Sequence, residues 1–519
     1  MSNVLMRTVW LAALLVSVGC ASVPIRKQDQ VALGNADALV LQGCYDCLLE
    51  ARAIYERVAV GQARPLLVAR LFETELLIAV REKELALEWS AALDRARALL
   101  PSLPAGLEGE RYLAVVDAIL PDSEGWPRSE LGAFRRAHSH YAGTVDGEIE
   151  WLRTGALAAP VREYLGLALE CAYPATRPAP GQPPRRVVRP PLSPDAPPLL
   201  KYRAGFCRAV TSTNMEQARA AVPKFVETSY YLARLMVATA QKNGPGKGRE
   251  LLTDVQTRFP KSPSVTYLSG RFNQLIGDCR VALRYYDGTI AIKKVHEDAL
   301  LGRTMCLTFL KRTEEAITAA TVIVDLKLDN IALGYYWRAW NRHFKKELDL
   351  ARADIERAKS LQARADIYLL AGMIEYDQKD LPTSKIDLRV ARDMESESCT
   401  ASWYLGLVEM DLKNFAPSAE HFETAMGCYE RRVLFSEQSL KEMQAREDLD
   451  AEFKARQIEG FEAAIKEDRS QHYASAFNAA NLYAQAGKID KARPLLEVSA
   501  RDPALADMVA QLRKIIGGG

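Results

Sequence analysis

Tyr404 to Ala425 reads YLGLVEMDLKNFAPSAEHFETA, and its spacing decides the fold. Gly406 and Ser418 are small and lie twelve residues apart. Phe422 and Ala425 follow Ser418 by four and seven residues, the offsets of one helix face. Between the halves, Lys413-Asn414 interrupts the apolar pattern with polar turn residues. The stretch predicts two helices of about a dozen residues folded back on each other, with backbones meeting where the side chains are small.

Outward from this unit the pattern repeats. Ser384, Ala351, Ala316 and Ala282 precede Ser418 at intervals of 34, 33, 35 and 34, and Gly248 sits one interval earlier. Ala492 recurs after a longer gap. Gly270, Ala339, Gly372 and Ala480 lie twelve before their partners. Leu252, Tyr286, Ala320, Ile355, Leu388 and Leu496 follow by four, and Val255, Thr289, Ile323, Ala358, Ala391 and Ser499 by seven. The turns carry Asn243-Gly244, Gly277-Asp278, Lys311-Arg312, Lys346-Glu347 and Lys379-Asp380. One hairpin exposes an apolar face that only the next hairpin covers, so about three or more units are needed for stability. The expectation is an all-α chain: an α-solenoid of antiparallel helix hairpins, preceded by a helical domain of diverged hairpins.

The unit quoted above, and AANLYAQAGKIDKARPLLEVSA at Ala479 to Ala500, resemble the tetratricopeptide repeat. The resemblance covers residues 229–426 and 473–501, and weakly 36–100. Met236 and Thr304 replace the small first-helix residue, so those two units are expected to pack more loosely, and the proline that usually closes a unit occurs mainly as Pro260. The resemblance implies a protein or peptide partner held in a groove lined by first helices. Its lining would include Tyr267, Arg271, Gln274, Tyr336, Trp340, His343, Met373, Tyr376, Trp403 and Asn481. Aromatic side chains anchor partners well because they bury a large area with few rotors. The plainer reading of Trp340 and Trp403 is packing between helices. The lysine and asparagine set that clamps a terminal carboxylate in some members is not reproduced; only Asn481 fits it.

The bulk numbers agree with a helical protein. Lys plus Arg is 68 against Asp plus Glu of 66, a balance that argues against nucleic acid as a partner, which needs a basic surface. No stretch reaches the roughly 18 to 20 apolar residues of a membrane-spanning helix.

Residues 1–19 read as an export signal: Arg7 supplies a basic start, and Val9 to Val18 is an apolar run too short to span a bilayer. Ser17-Val18-Gly19-Cys20 resembles a bacterial lipobox, in which Cys20 becomes the lipidated first residue of the mature protein; Ser17 departs from the commoner leucine. The alternative is ordinary signal cleavage after Ala21. Lipidation would place the chain in the bacterial cell envelope, and by the same resemblance a residue other than Asp after the cysteine implies sorting to an outer membrane, where the cell has one, facing the periplasm. Several acyl chains on Cys20 would anchor stably where one is marginal.

The remaining organisation is expected as a tether at 20–35, a helical domain at 36–172 and a linker at 173–200 containing ten prolines. The linker reads as an extended spacer, or, through Arg185, Arg186 and Arg189, as a basic contact to an anionic surface. The repeat array occupies 201–427. A charged helix pair is inserted at 428–471, a solvated face or a partner surface, with Leu449, Phe453, Phe461 and Ile465 on one stripe. The final unit and a capping helix fill 472–519. Within 36–172, helical periodicity breaks near Arg81-Glu82-Lys83.

No nucleophile elbow, paired-histidine metal helix, phosphate loop or dinucleotide fingerprint occurs, and no cofactor or metal is called for. Cys44 and Cys47 form a C-x-x-C without a second ligand pair or a strand–helix context, and read as packed or locally bridged. Leaving out Cys20, eight cysteines remain, an even number that suits an oxidising compartment. Cys399 opens a first helix and Cys428 follows the second helix of the same unit, so antiparallel packing would bring them together as a disulfide. The function expected is an envelope-anchored interaction scaffold or assembly factor. A binding module for a small molecule or glycan fragment is the alternative, and an enzyme with a non-obvious site ranks third.

Overall fold

The computed structural model describes residues 26–60, 64–173, 192–207, 213–238, 244–447, 449 and 451–517. The signal segment and Cys20 lie outside the described residues, as do 174–191 of the proline-rich stretch. Among the described residues there are 25 α-helices and no strand, and no helix is long and apolar enough to cross a membrane. The chain divides into two compact units, residues 1–269 with 288–296 and residues 270–287 with 297–519.

The first unit is built around the helix Pro65–Glu84. Every residue from Thr74 to Leu85 is buried, so the C-terminal half of this helix is enclosed on all sides. The periodicity does not break at Arg81-Glu82-Lys83; the charged run is the enclosed C-terminal turn of one continuous helix. Lys27–Gln42 and Tyr45–Ala59 form the first hairpin, turning at Gly43 with φ 73°. Ala51, Tyr55 and Val58 face its core.

Two expected boundaries move. Residues 27–35, expected as tether, belong to the helix Lys27–Gln42, where Leu33 is buried. The expected linker at 173–200 ends inside the helix Pro198–Cys207, because proline at a first helical position lacks only an N–H that had no partner there. Leu199 and Leu200 are buried in one core with Phe72 and Tyr164. The division into compact units falls near Ser269, beyond the prolines.

In the second unit the hairpins are Glu297–Phe309 with Thr313–Asp325, Ile331–Phe344 with Leu348–Leu361, Ala365–Asp377 with Leu381–Met394, Cys399–Asp411 with Phe415–Ala445, and Ala451–Gln485 with Ile489–Ser499; Ala506–Gly517 caps the end. One turn design recurs. Gly277, Lys311, Lys346, Lys379, Lys413 and Gly487 all adopt left-handed backbone, with φ between 57° and 84°. In each the next residue's N–H returns to the carbonyl five before it, as in Arg312 to Leu307 at 2.9 Å and Asp380 to Glu375 at 2.9 Å. This six-to-one bond closes the first helix. The same residue's carbonyl then accepts from the small residue, as in Ala316 to Arg312 at 3.0 Å and Ser384 to Asp380 at 3.0 Å, which opens the second helix. A single two-residue turn therefore ends one helix and starts its partner.

The small residues sit where the helices cross. Ala282, Ala316, Ala351, Ser384, Ser418 and Ala492 are fully buried. A Cβ on Gly372 would lie 2.5 Å from Leu388, and one on Gly406 2.8 Å from Phe422. Where the second-helix residue is serine, its hydroxyl is satisfied by the facing carbonyl: Ser384 donates to Gly372 at 2.7 Å and Ser418 to Gly406 at 2.6 Å. Thr304 does not loosen its unit, for it is fully buried and donates to the Leu300 carbonyl at 2.9 Å. Met236 is half-buried.

The charged stretch at 428–471 is not a separate inserted pair. It lengthens two existing helices, Phe415–Ala445 to 31 residues and Ala451–Gln485 to 35. Phe453 and Ile465 are buried, Phe461 and Leu449 half-buried, and the buried Asp468 pairs with Arg432 at 3.1 Å. Arg456 near the tip reaches Asp278, in the first turn of this unit, at 3.0 Å. Cys399 and Cys428 are joined, with Cα atoms 5.4 Å apart.

Candidate functional site

The candidate binding face follows from the repeat register. Residues eleven before each small second-helix residue are Arg271, Met305, Trp340, Met373, Leu407 and Asn481. Those eight before are Gln274, Thr308, His343, Tyr376 and Met410. One helix turn apart on consecutive first helices, these positions form two adjacent rows.

The rows are linked from unit to unit. Gln274 lies against the Met305 sulfur at 3.9 Å, accepts from Tyr286 at 2.6 Å and from Arg271 at 3.3 Å. Asn341 donates to Thr308 at 2.8 Å. His343 Nε2 lies 3.0 Å from Asp377, which also holds Lys346 at 2.8 Å. Burial lowers the His343 pKa, Asp377 opposing it; the Lys346 and His343 contacts hold the Asp377 carboxyl below its usual range against its own burial. One unit on, Lys379 pairs with Asp411 at 3.1 Å. A row of charge pairs thus runs along the ends of the first helices.

The aromatic residues divide by role. Tyr336 is buried in the core with Ile355 and Leu370, and Trp340 and Trp337 pack half-buried against it. Trp403 meets Phe422 edge-on at 5.0 Å and packs beside Cys399 and Cys428, so it is inter-helix packing. Tyr376 meets Tyr404 edge-on at 5.8 Å, with Lys379 Nζ 4.8 Å from its ring. Met373 and Asn481 are half-buried. Tyr267 belongs to the first unit, where its ring lies tilted against His296 with centres 4.9 Å apart. The second unit therefore brings together Arg271, Gln274, Trp340, His343, Met373 and Tyr376 on its rows, while Tyr336 and Trp403 serve the core. Trp337, absent from the sequence reading, joins Trp340 through a ring contact of 6.5 Å and lies 6.1 Å from the exposed Phe309.

Sequence reasoning also missed a buried charged hub in the first unit. Glu84 accepts from Tyr164 at 2.9 Å, Tyr202 at 3.1 Å and Arg81 at 3.1 Å, and also pairs with Arg203. The Arg81 guanidinium lies 3.6 Å from the Tyr202 ring centre and donates to the Gly43 carbonyl. The Lys83 ammonium is ringed by three carbonyls, Val116 at 2.9 Å, Asp117 at 2.7 Å and Ile119 at 3.1 Å. Tyr231 donates to the Glu84 carbonyl at 2.7 Å and Ser262 to that of Leu85 at 2.5 Å. Burial pushes the Glu82 and Glu227 carboxyls up to about 7 and brings Lys83 down to about 8. Arg81, Lys83 and Glu84 are almost wholly removed from solvent. The one available signal was four charged residues inside an apolar helix, which either break it or are buried with partners.

Cys44 and Cys47 are a local disulfide, with Cα atoms 4.9 Å apart, at the start of the helix Tyr45–Ala59. Both are buried, which removes the access that thiol exchange needs. Cys171 is also disulfide-bonded.

The model of the family Iml2/Tetratricopeptide repeat protein 39 matches residues 203–420. No curated protein matches the sequence. Among solved structures, the hetero-tetramer of the APC/C proteins Cut9 and Hcn1 is similar at 12% identity, with 94% of this chain and 96% of that one covered and a TM-score of 0.40. MamA is similar at 19% identity over 32% of this chain and 96% of its own, TM-score 0.29. YrrB, a TPR protein with an unusual peptide-binding site, is similar at 13% identity over 51% of this chain and 99% of its own, TM-score 0.25. The family match at 203–420, the small-residue crossings and the recurring turn agree on a tetratricopeptide-type repeat fold for that part of the chain.

Proposed function

We propose that this chain is an exported scaffold that holds a protein or peptide partner along the first-helix rows of its second unit. The observation that carries the reading is the half-buried pair Trp337 and Trp340, flanked by Tyr376 and the His343–Asp377–Lys346 cluster. Partly exposed aromatics beside charged groups supply apolar anchors and polar register. The disulfides at Cys44–Cys47 and Cys399–Cys428 support an oxidising location, and with Cys20 they support a lipid-anchored protein of the envelope, facing the periplasm.

Two experiments test this. Crosslinking in intact cells should capture a partner with the wild type and lose it with Trp340→Ala plus Tyr376→Ala; unchanged capture by the folded double variant would move the binding surface elsewhere. Labelled fatty acid should enter the wild type and not Cys20→Ser, and equal labelling would remove the anchor.

A further inference from the structure

The repeat register exposes one charge that does not balance. Nine residues before the small second-helix residue stand Arg342, Glu375 and Glu409; three after it stand Asp354, Asp387 and His421. In the first of these units Asp354 is held by Arg342 at 2.7 Å and by Arg338 through two bonds of 2.7 and 2.9 Å. In the third, Glu409 is held by Lys385 at 2.6 Å and Asn414 at 2.8 Å. In the middle unit both positions are acidic. Glu375 is fully buried, and neither of its carboxylate oxygens has a hydrogen-bond partner.

Glu375 is aimed at two further carboxylates. Its oxygen, one from Asp387 and one from Glu356 of the preceding second helix all lie within 4.8 Å of one another. Lys359 bonds the cluster directly, at Glu356 over 2.9 Å and also at Asp387, while Arg352 acts on Glu375 and Glu356 only through its field. Arg352 is committed to Gln378 at 3.1 Å and Asp380 at 2.7 Å. Three carboxylates with one directly bonded ammonium leave an excess of negative charge, and Glu375 has no bonded cation of its own, a place that a divalent ion can fill. The donors are all oxygen, which selects a hard cation. Glu356 is half-exposed at 48% of its side chain, so an ion has a path to the buried pair.

We infer that Glu356, Glu375 and Asp387 form a calcium-class cation site that ties the second helix of one repeat to both helices of the next. The competing occupant is a proton on the Glu375–Asp387 pair. Burial, with Asp387 adding to it, pushes Glu375 up to about 8, so below that pH an entering ion must displace the proton, and affinity should rise with pH.

The test uses the full chain, freed of metal with a chelator and titrated with CaCl2 in a calorimeter at pH 6 and pH 8, alongside melting curves. One Ca2+ per chain, tighter at pH 8 and accompanied by a rise in Tm, is expected. Glu375→Gln, which removes a buried charge and so should keep its fold, is expected to weaken binding roughly tenfold or more; Glu356→Gln should weaken it while leaving the ion-free Tm close to wild type. Wild type that takes up neither Ca2+ nor Mn2+ at millimolar concentration would overturn the site in favour of the shared proton. Equal uptake by folded Glu375→Gln would place the ion elsewhere and overturn it as well.

Discussion

The two units are held together by different means. In the second, order is local: a left-handed residue, a returning N–H and a small residue twelve positions after another recur every 33 to 35 residues. Apart from the tip of the long helix pair, where Arg456 reaches Asp278, each hairpin packs mainly within itself and on its neighbours. In the first, order converges on one helix turn, Arg81 to Glu84, whose partners Gly43, Val116, Tyr164, Tyr202 and Tyr231 come from across the sequence. A local code tolerates the loss of one element. A convergent hub does not, because its buried charges are tolerable only in company.

The sharpest way to break the comparison is Glu84→Ala. It leaves two buried guanidinium groups, Arg81 and Arg203, without their carboxylate and should cost about 3 to 5 kcal/mol. Urea unfolding should show an early transition of the first unit. A loss below about 1 kcal/mol would mean the hub is solvated or dispensable.

Next comes pH, in chelator and without added ion. Glu375 has a folded pKa of about 8 against an ordinary 4.5. The fold favours its uncharged form, so that contribution is complete below pH 4.5 and is lost as pH rises through 8, on the order of a few kcal/mol. Glu375→Gln should flatten the fall of Tm across this window. Glu82 and Glu227, at about 7, leave a residual slope that belongs to the first unit. Lys83 adds none below pH 8, since its own change lies between about 8 and 10.5. His296, lowered by burial to about 4, contributes with the opposite sign up to pH 6.5, so the decisive range is pH 6.5 to 8, where a Glu375→Gln curve falling as steeply as wild type would contradict the Glu375 environment.

Gly372→Ala tests the crossing. Its Cβ would meet Leu388 at 2.5 Å, and overpacking of this kind costs about 1 to 3 kcal/mol. The same substitution at Gly277, where nothing lies within 4 Å but φ is 84°, probes backbone strain instead. Equal effects in chemical denaturation would show that crowding is not what the small residues avoid.

The smallest effect has the opposite sign. Lys413 occupies a left-handed turn position at φ 63°. Lys413→Gly removes a strain of about 1 to 2 kcal/mol and adds back some unfolded-chain entropy, for a net gain near 0.5 kcal/mol read as a higher denaturation midpoint.

The sequence made the second unit legible because its determinants are periodic. The interval of Ala282, Ala316 and Ala351 names the crossing, and Lys311-Arg312 or Lys346-Glu347 names the turn. Cys399 and Cys428 could be paired because antiparallel helices bring known ends together. The hub was not legible: Arg81-Glu82-Lys83-Glu84 reads as a solvated break unless Tyr164, Tyr202 and Arg203 are known to surround it. For the same reason the face was read only in part. Register could place Trp340 and Tyr376 but could not tell that Tyr336 turns into the core, and it left Trp403 open between the face and the inter-helix packing it makes. The charged stretch at 428–471 was misread as a separate pair because helix continuity through Cys428 and Gln471 leaves no mark beyond the absence of a turn signal.

Native-state hydrogen exchange on Glu84→Gln is the most direct test of the contrast between convergent and local order. The account predicts accelerated exchange throughout the helices Lys27–Gln42, Pro65–Glu84 and Ala159–Ala172, with protection in Leu348–Leu361 and Ala365–Asp377 retained. Uniform loss of protection across both units, or none in either, would contradict it.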